Sequence, residues 1–265
     1  MKLYLCIAIG LISLNIVFAN SFDNAQIKSV TFIGNKNIKS NSLQKIINIQ
    51  NKSIFTELPF DRRVIKLDAI SIKNYYLTNG YLDVSVVDSF SVNEKSADIY
   101  FRILEGKQYF LNSINISGNN SLKDEEIFSL LNLRKNYPFN PVGIQINRNR
   151  LDDRYFENSK LFTNIKIESL VSDSVTINII IDEGPDISIN KIYIEGKNEN
   201  LDSNLIYREL LFSKNDKYVK SKIDLSQRKL MEIGIFSMAA ITPVKNISND
   251  STVNIVIELR EMNQR

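Results

Sequence analysis

The sequence predicts an α+β fold in which a small β-α-α-β-β domain is repeated three times in tandem. Three observations predict it. The first is an apolar segment that ends in glycine, the second is a glycine or lysine followed by two apolar residues, and the third is an alternating apolar segment that ends in glutamate. All three recur in the same order along the 265 residues. A fixed period is the sequence signature of a repeat architecture, so one domain explains the whole pattern.

The first strand of each repeat ends at Gly34, Gly118 or Gly196. The residues two and four positions before each glycine are apolar, which is the alternation of a half-buried strand. They are Val30 and Phe32, Ile114 and Ile116, and Ile192 and Ile194. The glycine itself predicts a turn with a positive φ, a conformation that other residues adopt only at a cost in free energy.

Two helices are expected after this strand. Ser121 stands before an acidic first turn and predicts a serine N-cap for the first helix of the second repeat. Asn140 followed by Pro141 predicts the start of its second helix, because proline is favoured at the first helical position. The second helices of the other repeats are expected to begin at Asp61 and near Ser221. The predicted buried positions of the second helices are Val64 and Leu67, then Ile144, Leu151 and Tyr155, then Ile223 and Leu230.

The second strand of each repeat follows a step from Gly80, Lys160 or Gly234 to apolar residues. We expect these strands over residues 83–90, 165–170 and 239–244. Near the first of these steps, Tyr75-Tyr76 and Tyr81 form an aromatic cluster with two interpretations, a groove for a client polypeptide or packing of the helix on its own sheet. Packing is favoured, because aromatic side chains at helix ends usually belong to the core.

The third strand of each repeat closes on Glu105, Glu183 or Glu261, and these residues are spaced 78 positions apart. The alternation predicts one inward face per strand. The inward residues are Ile99, Phe101 and Ile103, then Ile177, Ile179 and Ile181, then Ile255, Ile257 and Leu259. The domains are therefore expected at residues 25–105, 106–183 and 184–262.

Composition excludes most catalytic functions. The chain has no histidine, so a Ser-His-Asp triad, a Cys-His pair and an HExxH zinc site are all excluded. A net charge of +3, from 33 basic and 30 acidic residues, is too balanced to predict a nucleic-acid partner. We expect no enzyme activity, cofactor or metal. A carboxylate-dependent periplasmic enzyme is the remaining catalytic alternative. Such an enzyme would require acidic residues that break the repeat pattern in one domain, and the sequence shows none.

The amino terminus is typical of a signal peptide. Lys2 is followed by an uncharged apolar run, and Val17 and Ala19 supply the small residues that precede a cleavage site. Residues 1–19 are therefore expected to be removed, with an uncleaved membrane anchor as the alternative. Cys6 leaves with this segment, so the mature chain has no cysteine. An exported chain without disulfides favours a bacterial periplasm.

The ordered motifs resemble POTRA domains, the periplasmic arm of the BamA/TamA family of outer-membrane assembly factors. The resemblance covers residues 25–261 and includes Glu105-Gly106 and Glu183-Gly184. Lys160, in place of glycine, and Glu261-Met262 depart from the pattern. The resemblance implies a three-stranded mixed sheet covered by two helices in each domain. It also implies a membrane β-barrel in cis, for which no segment remains before Arg265, so a fragment is expected, with a free-standing protein as the alternative.

The resemblance further implies that the second strand of each domain is an exposed edge, which accepts a partner segment as an added strand. The candidate residues are Val84, Val86, Val87, Ile165, Ile167 and Leu170. In the third domain Pro243 removes one donor, so the first two edges are expected to bind better. The implied partners are unfolded outer-membrane or secreted polypeptides and accessory assembly subunits. The alternatives are a soluble periplasmic adaptor, a secretion or cell-division scaffold, and edges that neighbouring repeats cap.

Overall fold

A computed structural model of the chain describes residues 25–49, 59–196, 198 and 201–262. The expected signal peptide at residues 1–19 lies outside the described residues. The first repeat contains β1 (Gln26–Ile33), α1 (Ser40–Gln44), α2 (Arg62–Thr78), β2 (Ser85–Val92) and β3 (Ser96–Leu104). The second contains β4 (Leu111–Ser117), α3 (Asp124–Leu131), α4 (Pro141–Glu157), β5 (Asn164–Val171) and β6 (Val175–Asp182). The third contains β7 (Ser188–Glu195), α5 (Ser203–Glu209), α6 (Lys220–Glu232), β8 (Phe236–Lys245) and β9 (Thr252–Glu261).

Each repeat builds its own three-stranded sheet, and the three sheets share one topology. The strand orders are β1-β3-β2, β4-β6-β5 and β7-β9-β8. In each sheet the central strand pairs in parallel with the first strand and antiparallel with the second. The predicted α+β fold, with a mixed sheet and two helices in each of three repeats, is confirmed.

The chain divides into two compact units. One unit comprises the described residues up to Lys73 together with residues 85–105, and the other comprises residues 74–84 and the described residues from Gly106 onward. The second unit therefore holds two of the three sheets. In both units the core lies between a sheet face and its helices, and every predicted inward residue of β3, β6 and β9 is buried.

The predicted buried face of α2 is wrong by one position. Leu67 is 56% exposed, whereas Ile65, Asp68 and Ile72 are buried. The reason is a polar contact in the core, because the Asp68 carboxylate accepts hydrogen bonds from the backbone N–H groups of Asn48 and Ile49. The sequence pattern treats an aspartate as a solvent-facing residue, so it shifted the predicted buried stripe by one position along the helix. The predicted buried positions of α4 and α6 are confirmed.

The predicted N-cap of the second repeat is also wrong. Helix α3 begins at Asp124 with Lys123 at the N-cap, and Ser121 lies before it. Ser121 instead donates its backbone N–H and its hydroxyl to the buried Glu183 carboxylate, at 2.7 and 2.6 Å. In the first repeat Glu105 accepts in the same way from the backbone N–H of Asn37. The glutamate that ends each central strand therefore holds the loop that follows the first strand.

Charged groups join the two domains of the second unit. Asp186, just before β7, forms ion pairs with Lys160 at 2.9 Å and with Lys217 at 2.8 Å. Hydrogen bonds from these two lysines lower the pKa of Asp186 to about 2. Ser221, at the start of α6, donates its N–H to Glu157 at the end of α4. The junction thus combines hydrogen bonds with a lysine-aspartate-lysine cluster.

Neutralising Asp186 is expected to remove a pH-dependent part of the stability. The lowered folded-state pKa means that the charged form stabilises the fold above about pH 4, and this contribution is lost as the pH falls toward 2. Asp186→Asn should therefore lower Tm at pH 7 by about 1–3 °C, a small effect because the side chain is half exposed, and the difference from the parent should disappear near pH 2. Thermal unfolding followed by circular dichroism measures it. Asp173→Asn, which removes a fully exposed carboxylate of an ion pair, is the matched control, and equal Tm changes in the two variants at pH 7 would contradict the prediction.

Candidate functional site

The second strand of each repeat lies at an edge of its sheet. β2, β5 and β8 each pair with the central strand on one side, and no strand among the described residues pairs with their other side. An edge strand presents unpaired N–H and C=O groups that can accept an added strand. Of the candidate residues, Val86 and Val87 lie on β2, and Ile165, Ile167 and Leu170 lie on β5.

Val84 does not belong to an edge strand. It stands one residue before β2 and is 5% exposed, so it is part of the core rather than of the open edge. The neighbouring Asp83 accepts a hydrogen bond from the Tyr109 hydroxyl at 2.9 Å. The predicted strand therefore started two residues too early, because residues 83 and 84 still belong to the turn after α2.

The edge of β5 lies beside an open groove. The groove has a volume of about 190 Å³ and separates β5 from the amino-terminal half of α4. It is lined by Phe139, Pro141, Ile144, Gln145, Arg148, Ile167 and Ser169. Ile167 and Ser169 alternate on β5 and so face the same side of the sheet as the helices. An added strand would extend the sheet here and place a side chain in the groove.

The charge in this groove is already balanced. Arg148 on α4 pairs with Asp152 one turn later, with a nitrogen-to-oxygen distance of 3.2 Å. Both side chains are less than one third exposed. The pair holds the guanidinium along the helix, so the groove offers apolar contact and backbone groups rather than a free charge. Such a surface selects for extended conformation more than for sequence.

The edge of β8 is closed by its own domain. The backbone N–H of Ile241 donates to the side-chain oxygen of Gln227 on α6, at 3.1 Å. Pro243 is the next residue whose backbone points to this outer side, and it has no N–H. Two successive donors are therefore removed from the outer edge of β8. The sequence identified Pro243, but it gave no signal for Gln227, which stands in a polar helix.

The edge of β2 is partly covered. Phe90 occupies the position equivalent to Ser169 and Pro243. Each of the three residues is paired across the sheet with the first buried isoleucine of its central strand. The Phe90 ring packs edge-on against Phe60 at 5.0 Å, and the Arg62 guanidinium lies 4.8 Å from its centre. In the first repeat, aromatic packing therefore fills the space that corresponds to one end of the β5 groove in the second repeat.

The aromatic cluster near Gly80 belongs to the core. Tyr76 is fully buried, Tyr81 is 5% exposed, and their rings pack edge-on at 5.5 Å. The packing interpretation is therefore confirmed. Within the described ranges, no group of three or more His, Cys, Asp or Glu side chains is placed to hold a metal ion. In the same part of the chain, no helix is long and apolar enough to cross a bilayer.

Three three-stranded sheets of one topology, each packed against its own helices, define this chain as a tandem array of small α+β domains. A family model named POTRA and described as "Surface antigen variable number repeat" matches residues 25–106, 109–184 and 187–262. The chain belongs to the POTRA family. The resemblance inferred from the ordered motifs is thereby confirmed.

Relatives and solved structures carry the same domains. The outer membrane protein assembly factor BamA of Neorickettsia risticii is 24% identical over 242 residues, which cover 88% of this chain and 32% of that protein. The BamA of Buchnera aphidicola is 22% identical over 258 residues, covering 92% of this chain and 41% of that protein. The chain spans between 29% and 41% of the length of the curated relatives it matches.

The crystal structure of Haemophilus influenzae BamA POTRA3-5 has the same fold. The two structures superpose with a TM-score of 0.63 at 23% identity, covering 89% of this chain and 96% of the other. This likeness extends over three successive domains and shows that they have the same fold.

Proposed function

We propose that this chain is the periplasmic substrate-guiding and scaffolding arm of an outer-membrane protein assembly or translocation factor. In this proposal it binds unfolded outer-membrane or secreted polypeptides, and accessory assembly subunits, without chemistry of its own. The similarity to BamA proteins, which are named as outer membrane protein assembly factors, supports this class of function. The expected signal peptide supports export to the periplasm.

The observation that carries the proposal is the edge of β5 beside its open groove. An incoming extended segment pairs with the outer N–H and C=O groups of β5, and one of its side chains enters the space between Ile167 and α4. Main-chain hydrogen bonds give affinity without demanding a particular sequence, which suits a protein that handles many unfolded clients. We assign the strongest binding to β5, weaker binding to β2, and none to β8.

Proline at Ile167 is expected to abolish most of this binding. Ile167 is equivalent to Ile241, whose N–H points outward, so Ile167→Pro removes an outer donor and leaves the ladder with β6 intact. Loss of one or two main-chain hydrogen bonds should raise Kd about tenfold. The probe is a fluorescein-labelled ten-residue peptide from a membrane-spanning strand of an outer-membrane protein, and binding is followed by fluorescence anisotropy.

Two further variants separate strand addition from side-chain contact. Ile167→Thr keeps the N–H and is expected to bind within about twofold of the parent. The double variant Gln227→Ala, Pro243→Ser frees both blocked donors of β8 and is expected to add a second binding site. Unchanged affinity in Ile167→Pro, with circular dichroism showing an intact fold, would remove β5 from the proposal.

A further inference from the structure

The first strand of the third repeat has an outer edge that is covered over only part of its length. At the start of β7, the Ile189 N–H donates to the Asp216 carbonyl at 2.8 Å, and the Asn215 N–H donates to the Ile189 carbonyl at 2.7 Å. A single bridge also joins Ser188 to Lys217. The loop after α5 thus pairs with the first residues of β7 and then turns away. An open edge begins where this pairing ends.

A cavity lies at the point where the pairing stops. It has a volume of about 430 Å³ and is lined by Lys191, Ile192, Tyr193, Tyr207, Phe212, Ser213 and Lys214. Tyr193 and Tyr207 are 44% and 47% exposed, whereas Phe212 at the base is 4% exposed. Ile192, Tyr207 and Phe212 form a site for an apolar side chain on the helix side of the sheet, whereas Lys191 and Tyr193 alternate with Ile192 and lie on the opposite face of β7.

Two of the residues that line this cavity are lysines. Lys191 and Lys214 form no ion pair with any described residue, although Lys217, Lys220 and Lys229 of the same domain do. Two unpaired ammonium groups beside an aromatic pocket are complementary to a carboxylate next to an apolar side chain. The cavity therefore favours acidic partners and disfavours basic ones.

The second domain has different residues at two of the equivalent places. Ser113 and Asn115 occupy the positions of Lys191 and Tyr193, one residue before and one residue after the isoleucine that pairs with the first buried isoleucine of the central strand. The Asn115 side chain donates to Asn178 on β6 at 2.9 Å and so lies across the strands. Lys214 has a counterpart in Lys135, since each precedes the asparagine whose N–H donates to the first strand, so Lys191 is the basic residue that distinguishes the third domain from the second.

We propose that this groove docks an extended, acidic segment of a partner protein. The segment continues the pairing along β7 from Lys191 onward, places an apolar side chain beside Tyr207 and over Phe212, and sets carboxylates beside Lys191 and Lys214. This site is on the opposite edge of the sheet from β8 and is independent of the β5 site. It gives the third domain, whose β8 edge is closed, a separate interaction surface.

Peptide binding to the whole protein tests this assignment. The probe is the fluorescein-labelled peptide GSTEFEVTSG, with GSTQFQVTSG as the uncharged comparison. The double variant Lys191→Glu, Lys214→Glu is expected to raise Kd about tenfold or more, and added salt is expected to weaken binding by the parent. Tyr207→Ala, which removes the exposed aromatic side chain beside the apolar site, is expected to weaken binding by a similar factor. Lys222→Glu, an exposed lysine on α6 away from the groove, is the matched charge control and should leave Kd unchanged.

The outcomes separate this site from the one on β5. Ile167→Pro is expected to leave binding of GSTEFEVTSG unchanged, so the two sites can fail independently. The proposal is overturned if the parent does not bind the peptide at millimolar concentration, or if the double variant binds it like the parent. It is also overturned if Lys191 and Lys214 are needed for binding to phosphatidylglycerol vesicles and the peptide does not compete, because the groove would then recognise a lipid surface.

Discussion

Replacing Gly118 with alanine is expected to unfold the second domain locally and to cost about 3 kcal/mol or more. Gly118 has a φ of +83° at the turn after β4, in the left-handed region that favours glycine. A Cβ atom there would overlap the carbonyl oxygen of Ile181 on β6. The turn cannot move away, because Ser121 is held by the Glu183 carboxylate next to the same strand end. The variant must therefore either strain the turn or break its contact with β6.

Gly234→Ala is the matched control for this experiment. Gly234 has a nearly identical φ of +81°, but an added Cβ would meet no atom within 4 Å. Its cost should be about 1 kcal/mol, the backbone strain alone. Hydrogen exchange measured by mass spectrometry reports each domain separately. Amides of β4 and β6 should lose protection in Gly118→Ala, whereas protection should change little in Gly234→Ala. Equal losses of protection in the two variants would show that the backbone angle, rather than the overlap with Ile181, sets the cost.

The same glycine shows why much of the fold could be predicted from sequence. A turn that requires positive φ selects glycine, and the central strand that it contacts selects alternating isoleucines, so both constraints leave a visible mark on each repeat. The pattern at Gly118 and at Ile177, Ile179 and Ile181 depends only on local backbone angle and burial. Local rules of this kind repeat in sequence whenever they repeat in space.

The features that sequence reasoning missed are polar contacts between distant positions. Ser121 looks like an N-cap, but Glu183, 62 residues later, competes for its hydroxyl. Gln227 looks like an ordinary surface residue, but its amide oxygen meets the N–H of Ile241. A hydrogen bond across the fold has no periodicity, so a single sequence carries no sign of it. The Gln227 contact closes part of the β8 edge, which is why the resemblance could locate the edge strands but the sequence could not rank them fully.

The covering of β8 and β2 is also what is expected of a protein that limits unwanted strand pairing with other chains. An exposed edge is a risk for aggregation, and proteins limit it with proline, charge or covering groups. Here β8 is closed by Gln227 and Pro243, and β2 is partly covered by Phe60 and Arg62. The edge of β5 is open beside its groove. Of the three second-strand edges, the edge of β5 is therefore the most accessible to an added strand.

Removing the Asp68 carboxylate is expected to destabilise the first domain by about 3 kcal/mol. Its two oxygens accept from the Asn48 N–H at 2.7 Å, the Asn48 side-chain amide at 2.8 Å and the Ile49 N–H at 3.0 Å. Asp68 is fully buried in α2, so Asp68→Ala leaves the N–H of the buried Ile49 without a partner inside the fold, in addition to removing the two hydrogen bonds from the exposed Asn48. A buried donor of this kind loses water and gains nothing in exchange, which makes its cost larger than that of an ordinary hydrogen bond.

Ser226 supplies the comparison that separates this cost from loss of packing. It holds the position equivalent to Asp68, three residues after a buried isoleucine on the second helix of its repeat, and accepts from the Leu211 N–H at 2.8 Å. Ser226→Ala removes one acceptor and should cost about 1 kcal/mol, so the two variants should differ by about 2 kcal/mol. Urea unfolding followed by circular dichroism, with hydrogen exchange to assign each transition to a domain, measures both. Asp68→Asn keeps one acceptor oxygen and should fall between them, because its amide group points a donor at a donor. An equal loss in Asp68→Ala and Ser226→Ala would mean that the carboxylate is no more than a space-filling group in α2.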